Sequence, residues 1–304
     1  MDVQKRSPAV PVDLPAQITF NKDPLFITYL SFAIIVVVNI AYLLIKITNI
    51  IPEYDLGVVA NILSIVGAFI FLIASAWALY SSMNLKIRNS LIFFVISSFF
   101  YLLAETTWAI YTFIFHVDIP YPSIADVFYV IASVSMIGAI YLVTKTVRKN
   151  ARINIVFISL MVLGSALIAI IFFAISKTNP LGLYANGVIN WEIVLDLLYP
   201  TLDVIALVIL GRLLEVSLGR SVFDAMLILA LATCLMSFAD VYFSISTAMN
   251  VYADGDISDY LYILVYVLYG IGVWRYAFLT RKDILKTMET ITKIKYLEVT
   301  DGKT

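Results

Sequence analysis

Eight largely apolar stretches, each long enough to cross a bilayer, follow one another along the chain at 25–47, 56–82, 89–115, 122–145, 152–176, 190–217, 221–249 and 257–280. A helix needs about 20 such residues to cross roughly 30 Å of hydrocarbon. Stretches of 23 residues or more read as transmembrane helices. Composition agrees: 62% of residues are hydrophobic and 13% charged, against roughly 45–50% and about 25% in soluble domains. The expected fold is an all-α integral membrane protein of about eight transmembrane helices.

Turn and charge signals separate the stretches: Ile-Pro-Glu-Tyr-Asp at 51–55, Asn-Pro-Leu-Gly at 179–182 and Asp-Gly-Asp at 254–256. The expected organisation is an N-terminal arm (1–24), a first transmembrane half (25–150), a second half (151–280) and a tail (281–304). The arm carries Pro8, Pro11, Pro15 and Pro24, and no cleavable signal pattern precedes the first span. Net charge is -1, which gives no general case for a nucleic-acid partner. One cysteine, Cys234, and one histidine, His116, exclude an internal disulfide and zinc sites built from paired histidines or several cysteines. No cofactor is expected. Cys234 reads as a small core residue, and His116 and Asp118 as solvated turn residues.

Lysine and arginine set the orientation. Lys5, Arg6 and Lys22 lie in the arm, Lys86 and Arg88 between the second and third spans, and Lys145, Arg148, Lys149 and Arg152 between the fourth and fifth. Arg212 and Arg220 flank the sixth-to-seventh connection, and basic residues from Arg275 to Lys303 fill the C-terminal end. The opposite face has only Lys46 and Lys177. Both termini are therefore expected in the cytoplasm of a cell-membrane protein.

With this orientation, most of the acids inside the spans fall in the outer half. Glu192, Asp196, Tyr199 and Asp203 recur at i, i+4, i+7 and i+11, within roughly 60° of one helix face. Pro200 sits among them and is expected to free a backbone carbonyl and bend the helix. The third span carries Glu105, Trp108, Thr112 and His116 at similar spacing, and the seventh carries Asp240 and Thr247. The fourth and eighth begin with Asp126 and Asp259, each followed three residues later by Tyr129 or Tyr262.

A carboxylate deep in a span costs about 2.5–3.5 kcal/mol on insertion scales. Such groups must be protonated, hydrogen-bonded to Tyr, Thr or Trp, or balanced by a bound cation. One reading has them only tying helices together. The other has them line an outward-facing acidic and aromatic cavity.

The halves also align faintly. An offset of 135 pairs Glu105 with Asp240, Trp108 with Phe243 and Asn61 with Asp196, and an offset of 133 pairs Ile124–Tyr129 with Ile257–Tyr262. This pattern predicts a 4+4 tandem repeat with its acids converging at the repeat interface.

Glu105-Thr-Thr-Trp108-Ala-Ile-Tyr111, a short turn, then Tyr121-Pro122-Ser123-Ile-Ala125-Asp126-Val-Phe-Tyr129 resembles a run in multi-pass sensor modules. Those modules stand N-terminal to bacterial cyclic-di-GMP synthases, phosphodiesterases and kinases. The match covers about 30 residues around 104–130, and its Pro-Ser-x-Ala-Asp core places an N-cap serine and an acid in a first helical turn. The resemblance implies a sensor-like membrane module. Since Arg281–Thr304 is too short for an output domain, it would be a stand-alone version, signalling through a cytoplasmic partner. The tail itself reads either as an amphipathic helix on the inner leaflet or as a partner-docking segment.

The leading expectation is a ligand-binding module that takes a small cationic or polar ligand from outside. Glu105, Trp108, Asp126, Tyr129, Asp196, Tyr199, Asp203, Asp240, Asp259 and Tyr262 are its candidate ligand-binding residues, and no catalytic residue is assigned. A proton- or cation-coupled secondary transporter and a structural subunit of a membrane complex are the alternatives. An enzyme is the weakest reading, because no His cluster, Cys nucleophile or Gly-rich phosphate loop is present.

Overall fold

The computed structural model describes residues 24–48, 52–82, 84–115, 120–147, 164, 184–185, 188–249 and 251–300. Seven helices account for nearly all of them: α1 (Pro24–Thr48), α2 (Glu53–Ser81), α3 (Leu85–Ile110), α4 (Ile124–Val147), α5 (Trp191–Ser217), α6 (Phe223–Ala248) and α7 (Ile257–Thr300). A π-helical turn, Tyr111–Phe115, extends α3, and a two-residue β ladder pairs Tyr184–Ala185 with Val188–Ile189. Among the described residues six helices are long and apolar enough to cross a membrane, as a multi-pass membrane protein requires. The helix α1 covers the first predicted span. The fifth, 152–176, falls outside the described residues except for Gly164, and His116 and Asp118 fall outside them too.

Helices α2 to α7 close a ring: each packs on the next in chain order, and α7 returns to α2. Helix α1 stands outside it, against α7 and the start of α2. Helices α2, α4, α5 and α7 start at one end of the ring, while α1, α3 and α6 finish there; the neighbours α4 and α5 therefore run parallel. Local sequence explains the starts of several helices. Asn84 and Asn190 accept from the backbone N–H two residues on, at 2.9 and 3.1 Å, as N-caps do. Ser123 caps α4 by accepting from Ala125 N, while Asp126 reaches back to Ser123 N at 2.6 Å, a reciprocal capping pair.

Helix α5 runs through Pro200 without a break, and the ring of Pro200 is buried. The tail is not a separate surface helix: α7 continues for 44 residues to Thr300, about 66 Å at 1.5 Å per residue. Cys234 is exposed on the outer side of α6 rather than in the core. It follows Thr233, whose side chain faces inward onto Tyr269, so one step of 100° turns it outward.

Below the acids the ring is filled by Phe71, Phe94, Leu91, Leu213, Met226 and Leu229, all fully buried, and at its far end a second pocket of about 410 Å³ opens beside Ile87, Val147, Val222 and Tyr276. Close α6–α7 packing depends on Gly272, where an added Cβ would lie 2.7 Å from Leu229 Cδ2. Gly272→Ala is expected to lower the thermal unfolding temperature in detergent, by overpacking worth about 1–3 kcal/mol. Gly211→Ala, with nothing within 4 Å of the new methyl, is expected to leave it unchanged or raise it.

Candidate ligand-binding site

A cavity opens at the ring end where α2, α4, α5 and α7 begin. Four carboxyl groups line it: Glu105 from α3, Asp126 from α4, Asp240 from α6 and Asp259 from α7. Among the described residues that line it there is no lysine, arginine or histidine. It offers about 50 Å³ to the centres of water-sized molecules, on a scale where one water needs roughly 10–15 Å³. It therefore holds a few waters or the head of a small ligand.

In place of cations, tyrosine hydroxyls hold the acids. Tyr129 and Tyr266 both donate to Glu105 Oε1, at 3.0 and 2.5 Å. Tyr262 donates to Asp240 Oδ1 at 2.7 Å, and Tyr199 to Asp126 Oδ1 at 2.6 Å. Tyr252 donates to Asp259 Oδ1 at 3.0 Å, while Gly255 N donates to its second oxygen at 2.6 Å. A hydrogen bond to a charged acceptor is worth about 1.5–3 kcal/mol, and leaving a buried charged group unpaired costs more. Outside the spans, burial and then the Asp196 carboxylate raise the Tyr121 hydroxyl far above the ordinary phenol range, and burial and then Asp259 do the same for Tyr252. Both remain donors at physiological pH.

Eight of the ten candidate residues line this cavity. The two exceptions are Asp196, which accepts from Tyr121 at 2.8 Å, and Asp203, buried behind Asp240. The carboxyl groups of Asp203 and Asp240 lie against each other, and Asp203 Oδ2 has no hydrogen-bond partner. Glu192, on the same helical face in the sequence, is exposed. Thr112 donates to Asp254, and the buried Thr247 hydroxyl has no partner.

The site also uses residues that spacing did not single out. Tyr266 follows Asp259 and Tyr262 at i+7 and i+4, so the same-face rule applied to α5 would have found it on α7. Asp254, read only as a turn residue, is drawn into the mouth: Asn61 Nδ2, Trp108 Nε1 and Thr112 Oγ1 donate to it at 3.0, 3.2 and 3.3 Å. Beside it the rings of Trp108, Phe243 and Tyr252 meet edge to face, with centroids 4.9–6.2 Å apart. Among the described residues no group of three or more His, Cys, Asp or Glu side chains is placed to hold a metal ion.

Several contacts occur twice. Tyr129 donates to Glu105 in one half, and Tyr262 to Asp240 in the other. Asn61 bonds Asp254 across the ring, and Asp196 bonds Tyr121. Trp108 meets Asp254, and Phe243 meets Tyr121 with ring centroids 6.0 Å apart. Each pair is related by the offsets 135 and 133. Comparison with protein-family models, curated proteins and solved structures finds no match to this chain.

The acid–tyrosine pairs give a direct test. Tyr262→Phe leaves Asp240 without its neutral donor and is expected to cost about 1–3 kcal/mol of stability, read as a lower unfolding temperature in detergent. Asp240→Asn can still accept from Tyr262 and can donate to Asp203, so it is expected to be at least as stable as the parent.

Proposed function

We propose that the chain is a sensor-like, ligand-binding membrane module whose cavity takes a small organic cation from the outer side. The observation that carries this reading is a cavity whose described lining has four carboxyl groups, several aromatic faces and no basic residue. A bound cation balances that charge, and its positive face suits the rings of Trp108, Phe243 and Tyr252 through cation–π attraction. The donor set favours an ammonium group over a coordinated metal, because the carboxyl groups are already engaged by tyrosines and do not converge on one point. Basic residues at the other end of the ring, such as Lys86, Lys145, Arg220 and Arg275, support placing the cavity outward and both termini in the cytoplasm. The resemblance of the Glu105–Tyr129 run to sensor modules points the same way, with a cytoplasmic protein partner as receiver.

The doubled contacts support an internal duplication, with α2–α4 and α5–α7 as corresponding units and the cavity between them. The eight-span, 4+4 arrangement is the extension of that reading. A proton- or cation-coupled carrier is the second reading, favoured by the Asp203–Asp240 carboxyl pair and by halves related in this way. The fully buried layer of Phe71, Phe94, Leu91 and Leu213 between the cavity and the pocket at the far end weighs against it.

Thermal unfolding of the detergent-purified protein against alkylammonium ions, biological amines, alkali metals and divalent cations discriminates the readings. An organic ammonium is expected to stabilise by about 2.7 kcal/mol at a hundred times its Kd, and Glu105→Gln with Asp240→Asn is expected to abolish the effect. A flat response to every cation, with the variants as stable as the parent, would leave a complex subunit as the better account. Flux into proteoliposomes under a pH gradient would favour the carrier.

A further inference from the structure

Between α6 and α7, the segment Val251–Asp256 lies across the mouth of the cavity, and nearly every polar group it presents there is fastened. Asp254 is held by Asn61, Trp108 and Thr112, and the first two of these line the cavity. Its three donors are neutral and stand at 3.0–3.3 Å. The Gly255 carbonyl accepts from Tyr42 at 2.9 Å and Lys46 at 2.8 Å. Asp256 pairs with Lys46 at 2.7 Å and accepts from Tyr242 at 3.2 Å. Gly255 has φ +89°, and a Cβ there would meet Tyr42 and the backbone of α2 at 3.1–3.2 Å. The segment therefore lies flush on the first turn of α2, in a conformation that favours glycine.

Two of these fasteners, Tyr42 and Lys46, come from α1, the helix outside the ring. Removing them loosens the segment without opening any contact between ring helices. The fastening of Asp254 is of another kind: its donors are neutral, so an incoming cation competes for the carboxylate against weaker partners than a salt bridge.

We infer that Val251–Asp256 is the gate of the cavity, that α1 is its latch through Tyr42 and Lys46, and that Asp254 is the carboxylate an arriving cation meets first. The last clause rests on the proposed ligand class; the gate and the latch do not. The gate opens by local release of a short segment, a motion that costs far less than unfolding the ring. Position and charge of α1 thereby set access to the site.

The test uses Ser64→Cys, a position that is 5% exposed and lines the cavity, in full-length protein carrying Cys234→Ala. The rate of maleimide labelling is measured in detergent with no ligand present. Labelling is expected to be slow in this parent and roughly tenfold faster with Lys46→Met, the factor that loss of a part-buried charged hydrogen bond gives. Tyr42→Phe, a milder change, is expected to accelerate it by a smaller factor, and Lys282→Met at the opposite end to leave it unchanged. Thermal unfolding of each variant reports folding; if Lys46→Met is unfolded, Tyr42→Phe decides the matter. Equal rates in the parent and in the folded latch variants would overturn the gate. Because no ligand takes part, that failure is distinct from a flat cation panel, which overturns the ligand class and leaves the gate standing.

Discussion

The site is organised by an imbalance of charge: several carboxyl groups are buried at one end of a helical ring, and the described basic residues lie at the other, Lys46 at the mouth excepted. A buried carboxylate without a cation or hydrogen bonds costs several kcal/mol. Here the tyrosines meet that requirement. Each of Glu105, Asp126, Asp196, Asp240 and Asp259 accepts from at least one tyrosine hydroxyl. A phenol suits this role because its ring fills apolar space while its hydroxyl donates at the tip. It also stays neutral, so it satisfies the hydrogen bond without cancelling the charge. The carboxyl groups are thereby hydrogen-bonded without a basic side chain among the described residues lining the cavity, an arrangement that supports the proposed cation site.

The same constraint explains why the doubled contacts cross between the halves. Asn61 on α2 reaches a turn of the second half, and Asp196 on α5 reaches a turn of the first. Each half thus closes the mouth over the other. The two exchanges are not chemically equal. In one the turn supplies a carboxylate, Asp254, to an amide, and in the other it supplies a phenol, Tyr121, to a carboxylate. Under the proposed duplication, acceptor and donor have been exchanged between the halves, and the turn that supplies a carboxylate, Asp254, is the one that α1 fastens.

Much of this was legible in the sequence because lipid makes polar residues conspicuous. Glu105, Asp126, Asp240 and Asp259 stand out in apolar runs, and helical spacing put Tyr129 and Tyr262 beside them. The faint offset was legible for the same reason, since it rested on coincident polar positions. What escaped lay in the connections. Asp254 sits in an Asp-Gly-Asp turn, where acidic residues are ordinary, and nothing local signals that the turn folds back over the mouth. Lys46 looked like one of two outer basic residues and proved to be a tether. Asp203 lies behind Asp240 rather than in the cavity lining, because the period that places it on the Asp196–Tyr199 face says nothing about depth. Cys234 was misplaced by the converse error, since membership of an apolar run does not distinguish core from lipid.

Helix α7 bears on whether such a cavity serves binding or passage. It supplies Asp259, Tyr262 and Tyr266 to the site, then continues without a break to Thr300. A change in how those three groups are held shifts or turns one rigid element whose far end stands clear of the ring, with Leu285, Met288 and Ile291 exposed on it. A carrier would instead have to part the helices beneath the cavity, where Tyr266, Tyr269, Phe71 and Phe94 are fully buried and interlocked. Close-packed interiors do not deform by small degrees. Moving one continuous helix against its neighbours disturbs fewer of these contacts than opening the ring along its length, which supports the proposed sensor reading over the carrier.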